Sequence, residues 1–113
     1  MHKIILFTAF FLFLSTPTVT FGQDFSDGLV AIENGNYEQA IRIFRIAAEK
    51  GDKHAQHCLG VLLHKGLGAK KNDEEAFKWL QLAAKQGLSQ ANFDLGILLY
   101  RKKGVPENFQ NKY

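Results

Sequence analysis

Residues 38–72, EQAIRIFRIAAEKGDKHAQHCLGVLLHKGLGAKKN, are followed at residues 74–108 by a second version of the same pattern, EEAFKWLQLAAKQGLSQANFDLGILLYRKKGVPEN. Aligned at a shift of 36 without a gap, 12 of the 35 positions are identical. The identical pairs are Glu38/Glu74, Ala40/Ala76, Ala47/Ala83, Ala48/Ala84, Gly51/Gly87, Ala55/Ala91, Leu59/Leu95, Gly60/Gly96, Leu62/Leu98, Leu63/Leu99, Gly68/Gly104 and Asn72/Asn108. Most are small or apolar, and a period of this size is typical of stacked two-helix repeats.

Each copy predicts a helix, a short turn, a second helix and a longer loop. Asn36 is a suitable N-cap for the first helix, and Gly51 is a suitable left-handed stop after it. In the second copy we expect Asp73 and Gly87 to take these two roles. The second helices are predicted to begin at Asp52 and Ser89 and to end near Lys65 and Lys102, and loops 66–72 and 103–108 follow them.

The apolar spacing indicates which faces these helices bury. One stripe carries Ala40, Phe44, Ala47 and Ala48, and its copy carries Ala76, Leu80, Ala83 and Ala84. The second helices carry Ala55, Leu59, Leu62 and Leu63, and again Ala91, Leu95, Leu98 and Leu99. Gly60 and Gly96 lie inside these helices, where glycine costs about 1 kcal/mol relative to alanine. Because this costly residue recurs in both copies, we expect close helix contact at both places. We also expect an exposed apolar end near Phe93, Leu98 and Leu99.

The amino end has the pattern of an export signal. Met1-His2-Lys3 is a short positive start, and residues 4–14 form an apolar run in which only Thr8 is polar. Small and hydroxyl residues follow up to Gly22, which predicts cleavage before Gln23. The alternative is a membrane anchor, but a spanning helix needs about 20 apolar residues. We therefore expect residues 1–22 to be a cleaved signal peptide and the mature chain to be periplasmic or secreted.

The repeated motifs resemble Sel-one-like repeats (SLR), the relatives of the tetratricopeptide (TPR) repeat with a lengthened loop. The resemblance rests on Ala-x-x-x-Leu-Gly at 55–60 and 91–96 and on Asp73-x-x-Ala76-x-x-Trp79-Leu80-x-x-Ala83-Ala84-x-x-Gly87. It implies an all-α fold, a short right-handed α-solenoid of stacked antiparallel helix pairs. The expected division is a TPR-like N-terminal unit at 23–50, a first SLR repeat at 51–86, and a second at 87–113 with an incomplete following helix.

Composition and motifs argue against most catalytic functions. The 113 residues carry a net charge of +3 and one cysteine, which suits neither a nucleic-acid surface nor a disulfide framework or a four-cysteine zinc site. No nucleophile elbow, phosphate loop or dinucleotide motif is present. We expect no enzymatic activity and no cofactor. The alternatives are an exported β-lactam-binding or hydrolase-type member of the repeat family, or a truncated repeat fragment without function.

Three histidines and a cysteine cluster on one predicted helix. His54, His57 and His64 fall on nearly one face, with Cys58 beside them, and both residue types bind zinc or copper. A single straight helix cannot surround a metal ion, however, and residues seven apart lie about 10 Å apart along its axis. We favour histidines that line a binding surface, with an adventitious or a specific metal site as the alternatives. A dimer linked through Cys58 is a further expectation.

The favoured function is a scaffold that binds another protein or a peptide. By analogy with TPR units, the helix that carries Leu-Gly lines the concave side of the solenoid. The predicted groove is then formed by Phe25, Leu29, Ile32, His54, His57, Val61, His64, Gln90, Phe93, Ile97 and Tyr100. Arg42, Arg45, Lys78 and Lys85 lie away from the alanine stripes, and we expect them to be solvated.

Overall fold

The computed structural model of the chain describes residues 24–101, all of whose regular structure is helical. The five helices of this range are α1 (Phe25–Glu33), α2 (Tyr37–Glu49), α3 (Lys53–Lys65), α4 (Asp73–Lys85) and α5 (Ser89–Arg101). The predicted signal peptide, loop 103–108 and the start of a third copy lie outside the described residues.

The helices pack in the order in which they follow along the chain. Each of α1 to α4 contacts the next helix, and α3 additionally contacts α5. Because α3 and α5 hold equivalent places in the two copies, this last contact joins neighbouring repeats. The prediction of a short all-α solenoid is confirmed.

The first turns of the helices show where the capping predictions hold. The Asn36 side chain accepts a hydrogen bond from the Gln39 N–H at 3.3 Å, as an N-cap does. Helix α4 is capped by Asn72, whose side chain accepts from the Glu75 N–H at 3.0 Å. The prediction that Asp73 caps this helix is therefore wrong. Asp73 is its first helical residue, and its carboxylate is free to contact another helix.

The core follows the predicted stripes closely. Ala40, Ala55, Ala76, Ala83 and Ala91 are all 0% exposed. The larger fully buried side chains are Ile43, Phe44, Leu59, Leu63, Phe77, Leu80 and Leu98. The expected exposed apolar end is only partly correct, because the side chain of Phe93 is 71% exposed whereas that of Leu98 is 1% exposed and belongs to the core.

Loop 66–72 passes close to the start of α2. Gly68 has a φ of +82°, a backbone conformation that residues other than glycine rarely adopt. A Cβ atom at Gly68 would also collide with the backbone carbonyl of Tyr37. Gly68 thus lets the lengthened loop lie directly against the start of α2.

Gly60 and Gly96, the repeated glycines of α3 and α5, have different surroundings. A Cβ atom on Gly60 would lie 2.8 Å from Leu80 Cγ and 3.2 Å from the Ala76 carbonyl oxygen, so the glycine allows α3 and α4 to approach each other. The predicted close contact is confirmed there. A Cβ atom on Gly96 would have no described atom within 4 Å.

This difference predicts opposite effects of the same substitution. Gly60→Ala should lower the free energy of unfolding by about 1–3 kcal/mol, because the added methyl group overpacks the contact with Leu80. Gly96→Ala should raise it by up to about 1 kcal/mol, because alanine is the better helix former and its Cβ atom would meet no described atom within 4 Å. Urea denaturation followed by circular dichroism measures both. Equal effects of the two substitutions would contradict the packing described here.

Candidate functional site

A cleft opens where α3, α4 and α5 meet. It encloses about 220 Å³. Its lining consists of Val61, His64, Lys65, Leu80, Asp94, Ile97, Leu98 and Arg101. The apolar part of this set forms the walls and the charged part forms the rim. Ligand pockets for small organic molecules and cofactors usually enclose about 300–1,000 Å³, so this cleft has room for one large side chain rather than for a cofactor.

Two histidine–carboxylate pairs border the cleft. His57 Nε2 lies 2.7 Å from Asp94 Oδ2, which joins α3 to α5. His64 Nδ1 lies 2.6 Å from Asp73 Oδ1, which joins α3 to the first turn of α4. Lys71 Nζ adds a longer contact of 3.7 Å to Asp73 Oδ2. Each of the two carboxylates therefore has a partner within the chain.

Unlike the two carboxylates, the two cations of the cleft have no ion-pair partner among the described residues. Lys65 and Arg101 are exposed, and neither forms an ion pair with another residue of the described range 24–101. Asp94 contacts His57 instead of these cations, so the rim of the cleft presents two basic side chains that have no acidic partner among residues 24–101. A ligand with a carboxylate next to an apolar group would complement it.

The histidine cluster does not come together as a set of ligands. His57 and His64 contact different carboxylates, and His54 packs its ring against Phe25 at a centroid distance of 5.8 Å. Within residues 24–101, no group of three or more histidine, cysteine, aspartate or glutamate side chains is arranged to hold a metal ion.

Cys58 is a free thiol that packs partly buried against the core. Burial, followed by the negative charge of Asp52, raises the pKa of the Cys58 thiol to about 11. Little reactive thiolate is then present at neutral pH. The dimer linked through Cys58 stays a prediction.

The predicted groove residues do not share one surface. Val61, His64 and Ile97 line the cleft. Phe93 and Tyr100 of α5 are 71% and 89% exposed. The remaining members are His57 beside the cleft, Phe25 in aromatic contacts with Phe44 and with His54, Ile32 against the core, and the exposed Leu29 and Gln90.

Sequence reasoning missed five residues that line the cleft, namely Lys65, Leu80, Asp94, Leu98 and Arg101. A signal for the two cations was present. Val61 and Ile97 are equivalent at the shift of 36, and so are Lys65 and Arg101, each cation four residues after its apolar partner. Residues four apart share a helix face, so the repeat predicts a basic residue beside each apolar wall.

A polar contact ties the first helices of the two copies together. Arg45 Nη1 donates to Glu75 Oε2 at 2.5 Å, and the Trp79 indole N–H donates to the same oxygen at 3.1 Å. The expectation that Arg45 is merely solvated is wrong, because α2 and α4 approach closely enough for this pair. Hydrogen bonding from Arg45, and to a smaller extent from Trp79, lowers the pKa of Glu75 below its ordinary value of 4.5.

A second polar contact joins the turns at the other ends of the helices. The buried Gln56 donates through Nε2 to the Ala48 carbonyl at 3.2 Å and accepts from Gln86 Nε2 at 2.9 Å. Gln86 Nε2 also lies 3.0 Å from the Gly51 carbonyl. The two turns that follow α2 and α4 are thus held to each other and to α3.

The family follows from comparison with known proteins. The model of the Sel1 repeat family matches residues 25–52, 53–88 and 89–111, and the chain belongs to this family. Proteins of the family generally mediate protein–protein interactions, and their repeat scaffold is generally non-catalytic. No curated protein matches the chain. Among the described helices, none combines the length and the apolar character needed to cross a membrane.

Two crystal structures resemble the chain. A protective antigen present in uropathogenic Escherichia coli strains, which displays an SLR fold, is 39% identical with a TM-score of 0.67, covering 70% of this chain and 18% of the antigen. A Sel1 repeat protein from Oxalobacter formigenes is 36% identical with a TM-score of 0.60, covering 66% of this chain and 30% of that protein. The chain thus spans less than a third of either structure.

The Arg45–Glu75 pair predicts a stability difference that depends on pH. Glu75→Gln should lower the free energy of unfolding by about 1 kcal/mol at pH 7, because the ionised carboxylate loses its hydrogen-bonded guanidinium. The difference should be complete above the unfolded-state value near 4.5 and disappear as the pH falls through the lower folded-state pKa, where the wild-type carboxyl is protonated too. Urea denaturation at several pH values measures it.

Glu74→Gln is the matched control for this substitution. Glu74 is the exposed neighbour of Glu75 and forms no ion pair within the described residues. Its replacement should change stability by less than about 0.5 kcal/mol, as is usual for surface substitutions. Equal losses in both variants, or a loss in Glu75→Gln that does not vary with pH, would contradict the role of the pair.

Proposed function

We propose that this chain is an exported repeat scaffold that binds a partner protein through the cleft between α3, α4 and α5. The observation that carries the proposal is the combination of apolar walls with the rim cations Lys65 and Arg101, which form no ion pair with any other residue that the structure describes. The family supports a protein partner, because Sel1 repeat proteins generally mediate protein–protein interactions. The predicted groove residues Val61, His64 and Ile97 belong to this cleft.

The chemistry of the cleft favours a particular kind of peptide. The walls formed by Val61, Leu80, Ile97 and Leu98 suit one leucine, isoleucine or phenylalanine side chain, whose burial drives binding. Lys65 and Arg101 suit an aspartate or glutamate close to that side chain in the partner. His57 contacts the Asp94 carboxylate at 2.7 Å, and among residues 24–101 Asp94 forms no ion pair with Lys65 or Arg101, so both cations can face an acidic ligand.

The cleft makes a testable prediction for peptide selection. Random peptides displayed on phage and selected on the purified protein should converge on an apolar residue flanked by aspartate or glutamate. The double variant Lys65→Glu/Arg101→Glu should bind a selected peptide at least about tenfold more weakly in fluorescence anisotropy, because it reverses the rim charge. Binding by the wild type should weaken as salt is added.

The matched control is Arg42→Glu/Lys85→Glu. It makes the same change in net charge at two exposed cations of α2 and α4 that do not line the cleft. It should leave the affinity within about twofold of the wild type, since neither side chain lines the cleft and salt weakens the interaction between exposed charges. Equal losses in both double variants, or none in either, would argue against recognition at the cleft.

The location outside the cytoplasm is a separate part of the proposal. It rests on the positive start, the apolar run of residues 4–14 and the small residues before Gln23. Expressed with its full amino end in a bacterial host, the chain should be recovered outside the cytoplasm, and its intact mass should correspond to a start at Gln23. Leu12→Arg should retain the uncleaved chain inside, because it interrupts the apolar run. A wild-type chain that keeps Met1 in the cytoplasm would contradict export.

A further inference from the structure

Two histidines of α3 contact carboxylates of two other helices beside the cleft. His57 Nε2 lies 2.7 Å from Asp94 Oδ2 on α5, and His64 Nδ1 lies 2.6 Å from Asp73 Oδ1 on α4. A neutral imidazole can donate a hydrogen bond through the nitrogen that faces a carboxylate, and a protonated imidazole donates there too. Both contacts can therefore persist while the imidazole gains a charge, so protonation changes the charge beside the cleft without requiring a change in its shape.

The other charges around the two imidazoles nearly balance each other. Among residues 24–101, five charged side chains line the cleft or contact a member of the histidine pairs, namely Lys65 of α3, Lys71 of loop 66–72, Asp73 of α4, and Asp94 and Arg101 of α5. Three cations against two carboxylates leave this group with a net charge of +1 while both imidazoles are neutral. Protonation of both imidazoles makes the net charge +3, so the two histidines control most of it.

The remaining charged groups near the two histidines on α3 do not disturb this balance. Lys53 and Asp52 lie about one turn before His57 and have opposite charges. The Cys58 thiol, whose pKa burial raises to about 11, stays protonated near neutral pH. The side chains of His57 and His64 are 21% and 26% exposed, and a partly buried charge is screened by salt less than a fully exposed one.

We propose that the cleft binds an acidic peptide more tightly as the pH falls from 7.5 to 5.5, because His57 and His64 become protonated. This inference rests on the proposed function and adds its regulation. Histidine is the side chain that ordinarily changes charge between pH 5 and 8. The carboxylates of the peptide, with an ordinary pKa of about 4, stay ionised over the same interval. The added positive charge therefore attracts an unchanged ligand more strongly.

The affinity at two pH values tests the proposal. The probe is a peptide selected on the protein at pH 7.5, synthesised with blocked ends and a fluorophore that does not respond to pH. It should bind the wild type at least about fivefold more tightly at pH 5.5 than at pH 7.5 in fluorescence anisotropy at constant salt. An analogue with asparagine and glutamine in place of aspartate and glutamate should show no such gain, because it has no carboxylate to attract.

Substitutions locate the effect on the two histidines. His57→Gln/His64→Asn keeps an amide N–H donor for each carboxylate but cannot gain a charge, so its affinities at the two pH values should agree within about twofold. His54→Gln is the matched control, since His54 is the exposed histidine of α3 that packs against Phe25 and does not line the cleft. It should keep the gain of the wild type. Melting curves from circular dichroism establish that the variants fold, and an equal gain in both variants would overturn the proposal.

Proton uptake gives a second test that needs no variant. Because the acidic peptide favours the protonated protein, its binding must by linkage increase protonation. Isothermal titration calorimetry of the wild type at pH 6.5, in two buffers of different ionisation enthalpy, should therefore show net proton uptake on binding. Binding without uptake, or with the same affinity at both pH values, would overturn this regulation alone. Absence of peptide binding at both pH values would overturn the proposed function, and the regulation with it.

Discussion

Each helix buries its apolar stripe by packing against the next helix of the chain. This packing requires a short distance between the two helix backbones. Gly28 and Gly60 make room for Phe44 and Leu80, respectively. The alanines of the stripes, including Ala76 at 0% exposure, are small enough to let the helix backbones stay close together along the rest of the contact. The cleft and the polar contacts between helices depend on this distance between the backbones, because it sets the position of α3 relative to its neighbours.

The cleft is a consequence of that spacing. It lies between α3, α4 and α5, beside the buried Leu80 and Leu98. The contact between His57 and Asp94 fastens α3 to α5. Asp94 therefore contacts His57 rather than the rim cations Lys65 and Arg101, which form no ion pair with any residue of the range 24–101. The contacts that stabilise the stacking thus also affect the charge that the cleft presents.

Most of the fold could be predicted from the repeat alone, because small and large apolar residues recur at helical spacing with a stop after each helix. The errors concern contacts between residues that the repeat does not relate. Asp73 contacts His64 and leaves the cap to Asn72, although the recurrence of asparagine at 36, 72 and 108 already pointed to it. Arg45 finds Glu75 only because α2 and α4 lie side by side.

The sequence by itself determined the helical repeat, its 36-residue period, the buried stripes and the close helix contact at Gly60. These features can be read from the sequence, because they depend only on the spacing of residues along the chain. Only the tertiary structure decided which polar side chains meet, and it placed the predicted groove residues Val61, His64 and Ile97 along the cleft but left Phe93 and Tyr100 outside it, exposed on α5. The physical reason is that the angle and distance between packed helices, rather than their spacing along the chain, determine which side chains share a surface.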